Sequence, residues 1–300
     1  MGNRDLRGKP LADKILDQVA SEMATLSQHG WTSRLVSITV GEVAVADNYV
    51  RNQRRTAERV GIAFEERNFA ADVTEQELRV TIEAMNVDPR VTGALIQRPI
   101  PSHVSIKALQ SSIHPFKDVE GMNPTSIGNT VYNELDLSAC TVAASVELLR
   151  STGLPPQGLE VVMIGHSEIV GKPIAFLLMS EGATVTVCHH MTRSVPIHSR
   201  RADAILVAVG KPRLITAEMI KPGAAAIDIG INSVKDDDGK DRVVGDADYE
   251  SVSEVAGWLT PVPGGVGPVT VAMLTRNTLT ALRRQKDAYA TAFSPPRPEK

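Results

Sequence analysis

Three side chains in the first third of the chain have the types and the placement of a reactive site. Tyr49 and Gln53 lie one turn apart at the start of a predicted helix, so their side chains share one face. Gln97 ends a predicted buried strand over residues 93–97. Because α/β sheets bind ligands at the carboxyl ends of their strands, the Gln97 amide could orient a polar substrate there. Taken singly, these positions also have plainer explanations, namely a tyrosine stacked in the core and a polar strand end.

A second pattern is typical of a nucleotide site. A predicted strand over residues 159–164 runs into Gly-His-Ser-Glu-Ile-Val-Gly-Lys-Pro at 165–173, a glycine turn and the start of a helix. Pro173 suits the first helical turn, and free N–H groups with the positive helix end could bind a pyrophosphate. Ser167 stands where the second glycine of the usual G-x-G-x-x-G motif would be, so a purely structural turn explains the segment equally well.

The end of the next predicted strand favours NADP over NAD. An NAD site usually has an acidic residue about 20 residues after the glycine turn, to bind the ribose 2′-hydroxyl. Here the sequence reads His189, His190, Met191, Thr192 and Arg193, whose imidazoles, hydroxyl and guanidinium suit a 2′-phosphate. A solvated polar loop is the plainer alternative. Zinc is the least favoured, because no spacing of these histidines supplies four ligands, and we predict no metal site.

The rest of the chain alternates segments typical of strands and helices, which indicates βαβ units and a largely parallel sheet. Residues 153–158, Gly-Leu-Pro-Pro-Gln-Gly, have the composition of a linker, and residues 236–239 that of a hairpin turn. Residues 114–137 are predicted to be irregular. A glycine-rich turn at 260–270 leads into a closing helix predicted over 269–285.

Composition excludes several classes of protein. The 300 residues are 42% hydrophobic and 22% charged with a net charge of −3, which is typical of a globular protein without affinity for nucleic acid or anionic membranes. The two cysteines form no disulfide framework. No apolar run approaches the ~20 residues of a membrane span. We therefore expect a cytoplasmic protein.

Taken together, the motifs are specific to one family. Over nearly its whole length the chain resembles the bifunctional methylenetetrahydrofolate dehydrogenase/methenyltetrahydrofolate cyclohydrolase family. The resemblance rests on Gly-Lys-Pro-Leu-Ala at 8–12, the glycine turn at 165–173, Asp-Ile-Gly-Ile-Asn at 228–232, Val-Val-Gly-Asp at 243–246 and the run at 261–270.

This resemblance implies a fold of two α/β domains with the active site in the cleft between them. Residues 1–143 with 272–300 would form a folate-binding catalytic domain completed by the C-terminal helix, and residues 144–271 a Rossmann-like NADP-binding domain. The resemblance further implies a homodimeric enzyme of one-carbon metabolism that acts as both oxidoreductase and hydrolase.

The resemblance also assigns residues to the two ligands. Tyr49 would stack on the aminobenzoyl ring of the folate and Gln97 would sit beside the reacting centre. The run from Pro263 through Gly264 to Gly265 would approach both folate and cofactor. The cofactor itself would be bound by Gly165, His166, Ser167, Ile169, His190, Thr192 and Ile231.

Several positions depart from the family pattern. The family's Tyr-Val-x-x-Lys begins here at Tyr49, and Gln53 occupies the place of the proton-handling lysine. Glu120 replaces the second aspartate of Asp-Val-Asp-Gly, Ala46 replaces a serine, and Val142 replaces a proline. The altered positions concern the folate pocket.

The chemistry indicates which activity is affected. Oxidising the methylene bridge is a hydride transfer in which positioning carries much of the step. Hydrolysing the methenyl product needs proton transfers that an amide cannot perform, and loss of a general acid–base typically costs ~10²–10⁴ in rate.

The sequence therefore predicts NADP-dependent oxidation of 5,10-methylenetetrahydrofolate to 5,10-methenyltetrahydrofolate, with weak or lost cyclohydrolase. The catalytic candidates are Tyr49, Gln53, Gln97 and Glu120. The alternatives are a fully bifunctional enzyme, a non-catalytic folate- or nucleotide-binding homologue, and a dehydrogenase for another one-carbon adduct or carrier.

Overall fold

The computed structural model describes residues 4–41, 44–134, 136–236 and 238–293. Met1–Lys14 with Ile127–Met273 form one compact unit, unit 1, and Ile15–Ser126 with Leu274–Lys300 form the other, unit 2. Among the described helices, none is both long and apolar enough to cross a membrane.

Strands and helices alternate along most of the chain, as predicted. The strands are β1 (Arg4–Asp5), β2 (Ser33–Val40), β3 (Ile62–Phe69), β4 (Gly93–Ile96), β5 (Glu160–Ile164), β6 (Thr184–Cys188), β7 (Ala204–Val207), β8 (Ala225–Asp228), β9 (Asn232–Lys235), β10 (Asp241–Val244) and β11 (Trp258–Leu259). The helices are α1 (Gly8–Gln28), α2 (Ala44–Arg59), α3 (Glu75–Val87), α4 (Ile106–Ser112), α5 (Pro124–Val131), α6 (Cys140–Ser151), α7 (Gly171–Ser180), α8 (Val195–Ser199), α9 (Tyr249–Ser253) and α10 (Val266–Phe293), with a 3₁₀ turn at Ala217–Met219.

Unit 1 is built on a parallel sheet with the strand order β1-β11-β8-β7-β5-β6. Four of the five residues of β5 are buried, as expected of a parallel strand covered on both faces. Its neighbours are the two strands that follow it in the chain, β6 on one side and β7 on the other. Open α/β sheets bind ligands at such a point, outside the carboxyl ends of the strands.

Unit 2 contains a parallel sheet with the order β3-β2-β4, so β2 likewise lies between the next two strands of the chain. Its core packs Ile38 of β2 and Ile96 of β4 with Leu78 and Ile82 of α3. Thr74 begins α3 with a capping box, because its side chain accepts the Glu77 N–H while the Glu77 carboxylate accepts the Thr74 N–H. The carboxyl ends of β2 and β4 form a second candidate ligand site.

The segment predicted to be irregular, 114–137, contains α5, so that prediction is wrong in part. This segment folds around the buried carboxylate of Asp118. The carboxylate accepts the Met122 N–H at 3.1 Å, the Asn123 N–H at 2.7 Å and the Ser126 hydroxyl at 2.7 Å. Hydrophobic periodicity carries no signal for such an arrangement.

Two further predictions for local structure are supported. β9 and β10 pair antiparallel, which confirms the hairpin around 236–239, although Asp237 lies outside the described residues. The closing helix is longer than predicted at both ends, because α10 begins at Val266 and ends at Phe293.

Candidate active site

The amides of Gln53 and Gln97 meet in the interior of unit 2. Gln97 follows β4 and Gln53 lies on α2, and their side chains are buried, with 5% and 3% exposure. Gln97 Nε2 donates to Gln53 Oε1 at 2.7 Å and to Ser37 Oγ at 2.9 Å. These bonds use both amide hydrogens of Gln97, so any further hydrogen bond of this side chain goes through its carbonyl oxygen as acceptor.

Ser37 is a site residue that the sequence argument missed. It lies in β2 opposite Leu95 of β4 and is fully buried. The available signal was a hydroxyl in the middle of the apolar run Leu-Val-Ser-Ile at 35–38. Since buried hydroxyls need a partner, a serine there points to a polar group on the neighbouring strand.

Tyr49 and Gln53 share α2, as predicted, but their surroundings differ. The Tyr49 side chain is 44% exposed, whereas Gln53 is buried. An exposed ring one turn from a buried amide is the arrangement required of a stacking residue beside a polar centre. Ala46 lies on α2, but its side chain is not among those that the structure describes.

Glu120 and Asp118 lie on a segment that runs beside β4. The Ala94 N–H donates to Lys117 O at 2.9 Å, and Ala94 forms an isolated parallel bridge with Asp118. Burial raises the pKa of Glu120 to about 7, with a further contribution from the charge of Asp118, while Arg98 opposes the shift. A carboxyl group with a pKa near 7 can both take and give a proton under physiological conditions.

The raised pKa of Glu120 gives a testable pH dependence of stability. A carboxyl whose folded pKa exceeds its unfolded value binds more protons in the folded state, so its contribution to stability is lost as pH rises from about 4.5 to about 7. In the variant Glu120→Gln the side chain is an amide, which stays neutral over this whole pH range. We therefore compare the free energy of unfolding of the variant with that of the wild type at each pH. The difference, variant minus wild type, should be about 1–2 kcal/mol larger at pH 8 than at pH 4.5, a range that allows for partial solvent screening.

Urea unfolding of the wild type and Glu120→Gln between pH 4.5 and 8.5 would measure this effect. Glu83→Gln, at an exposed glutamate of α3, is the matched control and should leave the pH profile unchanged. Parallel profiles for Glu120→Gln and the wild type would show that the carboxyl is ionised in the folded protein.

In unit 1, the turn after β5 depends on two glycines. Gly165 has φ 120°, and a Cβ there would lie 2.3 Å from Ala208 O. A Cβ on Gly171 would lie 2.2 Å from Gly165 O. The turn therefore brings three backbone segments into direct contact, which larger residues would prevent.

The start of α7 differs from the sequence expectation, because its N–H groups are already bonded. Ser167 Oγ accepts the N–H groups of Val170 and Gly171 at 3.2 and 3.3 Å, and Ser167 O accepts that of Lys172 at 3.0 Å. Pro173 has no N–H. The prediction of free donors in the first turn of this helix is therefore wrong.

A cavity of about 480 Å³ opens beside this turn. Five of the residues predicted to bind the cofactor line it: Gly165, His166, Ser167, His190 and Thr192.

The lining of the cavity also differs from the predicted cofactor-binding set. Lys211 lines the cavity but was not predicted. The only signal for it in the sequence is its position directly after the glycine that follows β7. The predicted Ile169 and Ile231 are not among the described residues that line it, and Ile231 is 74% exposed.

Two buried aspartates fix the loops around this cavity. Asp246 accepts the N–H groups of Val209, Gly210 and Lys211 at 2.6, 3.1 and 2.9 Å, and an amide hydrogen of Asn232 at 2.9 Å.

Asp228 accepts the N–H groups of Gly230, Asp246 and Ala247. Burial raises the pKa of Asp228 to about 6 against the effect of these backbone donors. The motifs at 228–232 and 243–246 are thus explained by hydrogen bonding to the backbone.

The run at 261–265 forms a turn that packs against the start of α1. The Gly265 N–H donates to Pro261 O at 2.8 Å, and the Gly8 N–H donates to Gly264 O at 2.9 Å. A Cβ on Gly8 would lie 1.9 Å from Gly265 O, which explains the glycine at the start of the 8–12 motif. Pro263 lines a second cavity of about 530 Å³ in unit 1.

Comparison with known proteins identifies the family. Residues 6–120 match the catalytic domain of tetrahydrofolate dehydrogenase/cyclohydrolase, and residues 139–286 match the NAD(P)-binding domain of the same family. The chain therefore belongs to the tetrahydrofolate dehydrogenase/cyclohydrolase family of enzymes. Its two α/β units, one of them Rossmann-like, confirm the predicted fold class.

Individual relatives are similar over almost the whole chain. Bifunctional protein FolD 2 of Mesorhizobium japonicum is 62% identical, covering 97% of this chain and 95% of its own. The structure of the bifunctional enzyme FolD from Campylobacter jejuni is 35% identical with a TM-score of 0.89, covering 94% of this chain and 99% of its own. The structure of the Trypanosoma brucei methylenetetrahydrofolate dehydrogenase-cyclohydrolase, complexed with NADP and an inhibitor, is 35% identical with a TM-score of 0.89. It covers 95% of this chain and 98% of its own.

Proposed function

We propose that this protein oxidises 5,10-methylenetetrahydrofolate to 5,10-methenyltetrahydrofolate with NADP and hydrolyses the product weakly or not at all. The observation that carries the second part is the buried contact between Gln53 Oε1 and Gln97 Nε2. An amide that only accepts and donates hydrogen bonds has no proton to exchange near neutral pH. The same amides can still position the folate for hydride transfer.

The cavity beside the β5 turn suits NADP. The close backbone contacts of Gly165 and Gly171 keep the turn tight, as a pyrophosphate-binding turn requires. Imidazoles, the Thr192 hydroxyl and the Lys211 ammonium line the cavity, with no acidic residue among its described lining residues. When bound, the nicotinamide supplies the hydride acceptor. His166, Ser167, His190, Thr192 and Lys211 would bind the phosphates.

On the folate side, each residue has a physical role in the proposal. Exposed Tyr49 would stack on the aminobenzoyl ring, and the Gln97 carbonyl oxygen would accept a hydrogen bond from an N–H group of the pterin. By resemblance to the family, Pro263 and the two glycines after it would approach the bound ligands.

The family also suggests how the chain is divided between the two ligands and how it assembles. We assign residues 1–143 with 272–300 to folate binding and residues 144–271 to NADP binding, and we propose a cytoplasmic homodimer. These rest on similarity to the family.

Full bifunctionality is the second candidate, and the pKa of Glu120 favours it. A carboxyl with a pKa of about 7 could protonate the leaving nitrogen or activate water in place of the missing lysine. The weak-cyclohydrolase proposal requires that Glu120 does not reach the bridge carbon in a productive geometry.

Mixing the purified protein with methylenetetrahydrofolate and NADP tests both candidates. We expect NADP to be reduced, and to be reduced faster than NAD is when NAD is supplied in its place. The methenyl absorbance should then decay no faster than in buffer. Rapid decay that is abolished by Glu120→Gln would establish the bifunctional alternative, and absence of reduced cofactor would contradict the dehydrogenase.

A further inference from the structure

Three histidines converge at the carboxyl ends of β5 and β6. Ile164 and Cys188 are paired at the ends of these parallel strands, so the residues that follow them emerge side by side. His166 comes from the first strand end, and His189 and His190 from the second. One ring nitrogen from each lies within 4.8 Å of the other two.

The ring positions agree with a single cluster. The His166 and His189 ring centroids are 4.6 Å apart, and His190 lies 6.0 Å from His166 and 5.9 Å from His189. His166 and His190 are exposed and His189 is half-buried, so an ion from solvent can reach the cluster.

Imidazole nitrogen is a favoured ligand of zinc, copper and nickel. Three histidines with an open fourth position form a known zinc ligand set. Spacing along the chain supplies no set of four ligands at this point, but the fold adds His166 from the end of the neighbouring strand to His189 and His190. We propose that His166, His189 and His190 bind one divalent transition-metal ion of the zinc class.

Binding requires only small movements of the side chains. Zn–N bonds of about 2.0–2.1 Å in tetrahedral geometry place ligand nitrogens about 3.4 Å apart, so nitrogens that now lie within 4.8 Å of one another must approach by up to about 1.4 Å. The backbone that carries two of the ligands is already fixed. The Thr192 N–H donates to His189 O at 2.9 Å, and the His189 N–H donates to Thr192 Oγ1 at 2.9 Å.

One existing hydrogen bond must be lost. His189 Nδ1 accepts the Met191 N–H at 3.1 Å, and metal binding through the other ring nitrogen needs the tautomer protonated at Nδ1. Because Met191 is exposed, its N–H can bond to water instead. The cost is therefore that of exchanging one surface hydrogen bond, about 1 kcal/mol or less.

The metal site shares its residues with the proposed NADP cavity but does not rest on that proposal. A phosphate oxygen could take the open fourth position, so bound zinc and the nucleotide would influence each other. Metal binding measured without nucleotide tests the cluster alone. Its failure would leave the proposed oxidation of folate untouched.

The experiment uses the full chain without a polyhistidine tag, in a non-coordinating buffer and without nucleotide. Zinc is titrated calorimetrically, and cobalt is added as a spectroscopic probe of coordination. We expect one zinc per chain and the visible bands of a four- or five-coordinate cobalt complex. Each of His166→Gln, His189→Gln and His190→Gln should weaken zinc binding by at least the 10–100-fold that loss of an outer-shell partner causes.

His29→Gln is the matched control, because His29 is an exposed histidine in unit 2 far along the chain from the cluster. It should bind zinc as the wild type does, and circular dichroism should show all four variants folded. Zinc affinity unchanged in any of the three cluster variants, or lowered equally by His29→Gln, would overturn the three-histidine site. An octahedral, water-like cobalt spectrum in the wild type would also overturn it.

Discussion

Gln53→Lys combined with Glu120→Asp is expected to raise the rate of methenyltetrahydrofolate hydrolysis by up to about 10²-fold, more than the product of the two single effects. The single change Gln53→Lys should restore little. In the present site Gln97 donates to Gln53 at 2.7 Å, and a lysine ammonium cannot accept that bond. The Gln97 amide would have to turn its oxygen towards the ammonium, with Ser37 adjusting as its second partner.

Glu120 is the reason for expecting coupling between the two changes. A carboxyl with a pKa of about 7 would be pulled into its ionised form by a nearby ammonium, and that charge in turn would keep the lysine protonated. A charged lysine paired with a carboxylate is poorly placed to exchange protons with substrate, and a misplacement of about 1 Å can cost ~10²-fold. The shorter aspartate would relieve the pairing.

The measurement is a double-mutant cycle on the hydrolysis rate, with the dehydrogenase rate as the control for folding and folate binding. Gln53→Met, similar in length and without charge, should show no hydrolysis. Full recovery by Gln53→Lys alone would contradict the role given to Glu120. No recovery in the double variant would show that other changes, such as Val142, also block the reaction.

Asp246→Ala is expected to lower the free energy of unfolding by about 2–4 kcal/mol. The fully buried carboxylate accepts three consecutive backbone N–H groups, from Val209 to Lys211, and the Asn232 amide. Alanine would remove the acceptor of all four donors, and a hydrogen bond to a charged group contributes about 1.5–3 kcal/mol, less where water can replace the lost partner, as it can at the exposed Gly210 and Lys211. The loop that carries Lys211 would lose its anchor, so NADP binding should weaken as well.

Chemical unfolding of Asp246→Ala and of Asp246→Asn would measure this loss. Asparagine keeps one acceptor oxygen, so we expect an intermediate value. Asp238→Ala removes an exposed aspartate of the same unit at the β9–β10 turn and should change stability by less than about 0.5 kcal/mol. A stability of Asp246→Ala equal to that of Asp238→Ala would show that water replaces the carboxylate at no cost.

Much of this protein follows from local sequence. The alternation of apolar segments with amphipathic ones predicts the parallel α/β organisation. The spacing of the apolar residues in each segment distinguishes a strand from a helix and indicates which face is buried. The glycine turn after β5 is visible because Gly165 and Gly171 mark places where backbones touch. The departure at Gln53 is also a sequence observation, since the chemistry of an amide differs from that of an amine wherever it lies.

The tertiary structure decided the features that depend on partners distant in the chain. Ser37 meets Gln97 because β2 and β4 are neighbours in the sheet. Asp118 organises the segment that looked irregular, through hydrogen bonds that no periodicity encodes. His166 meets His189 and His190 because β5 and β6 are adjacent and in register. Strand order brings these side chains together, and spacing along the chain does not report strand order.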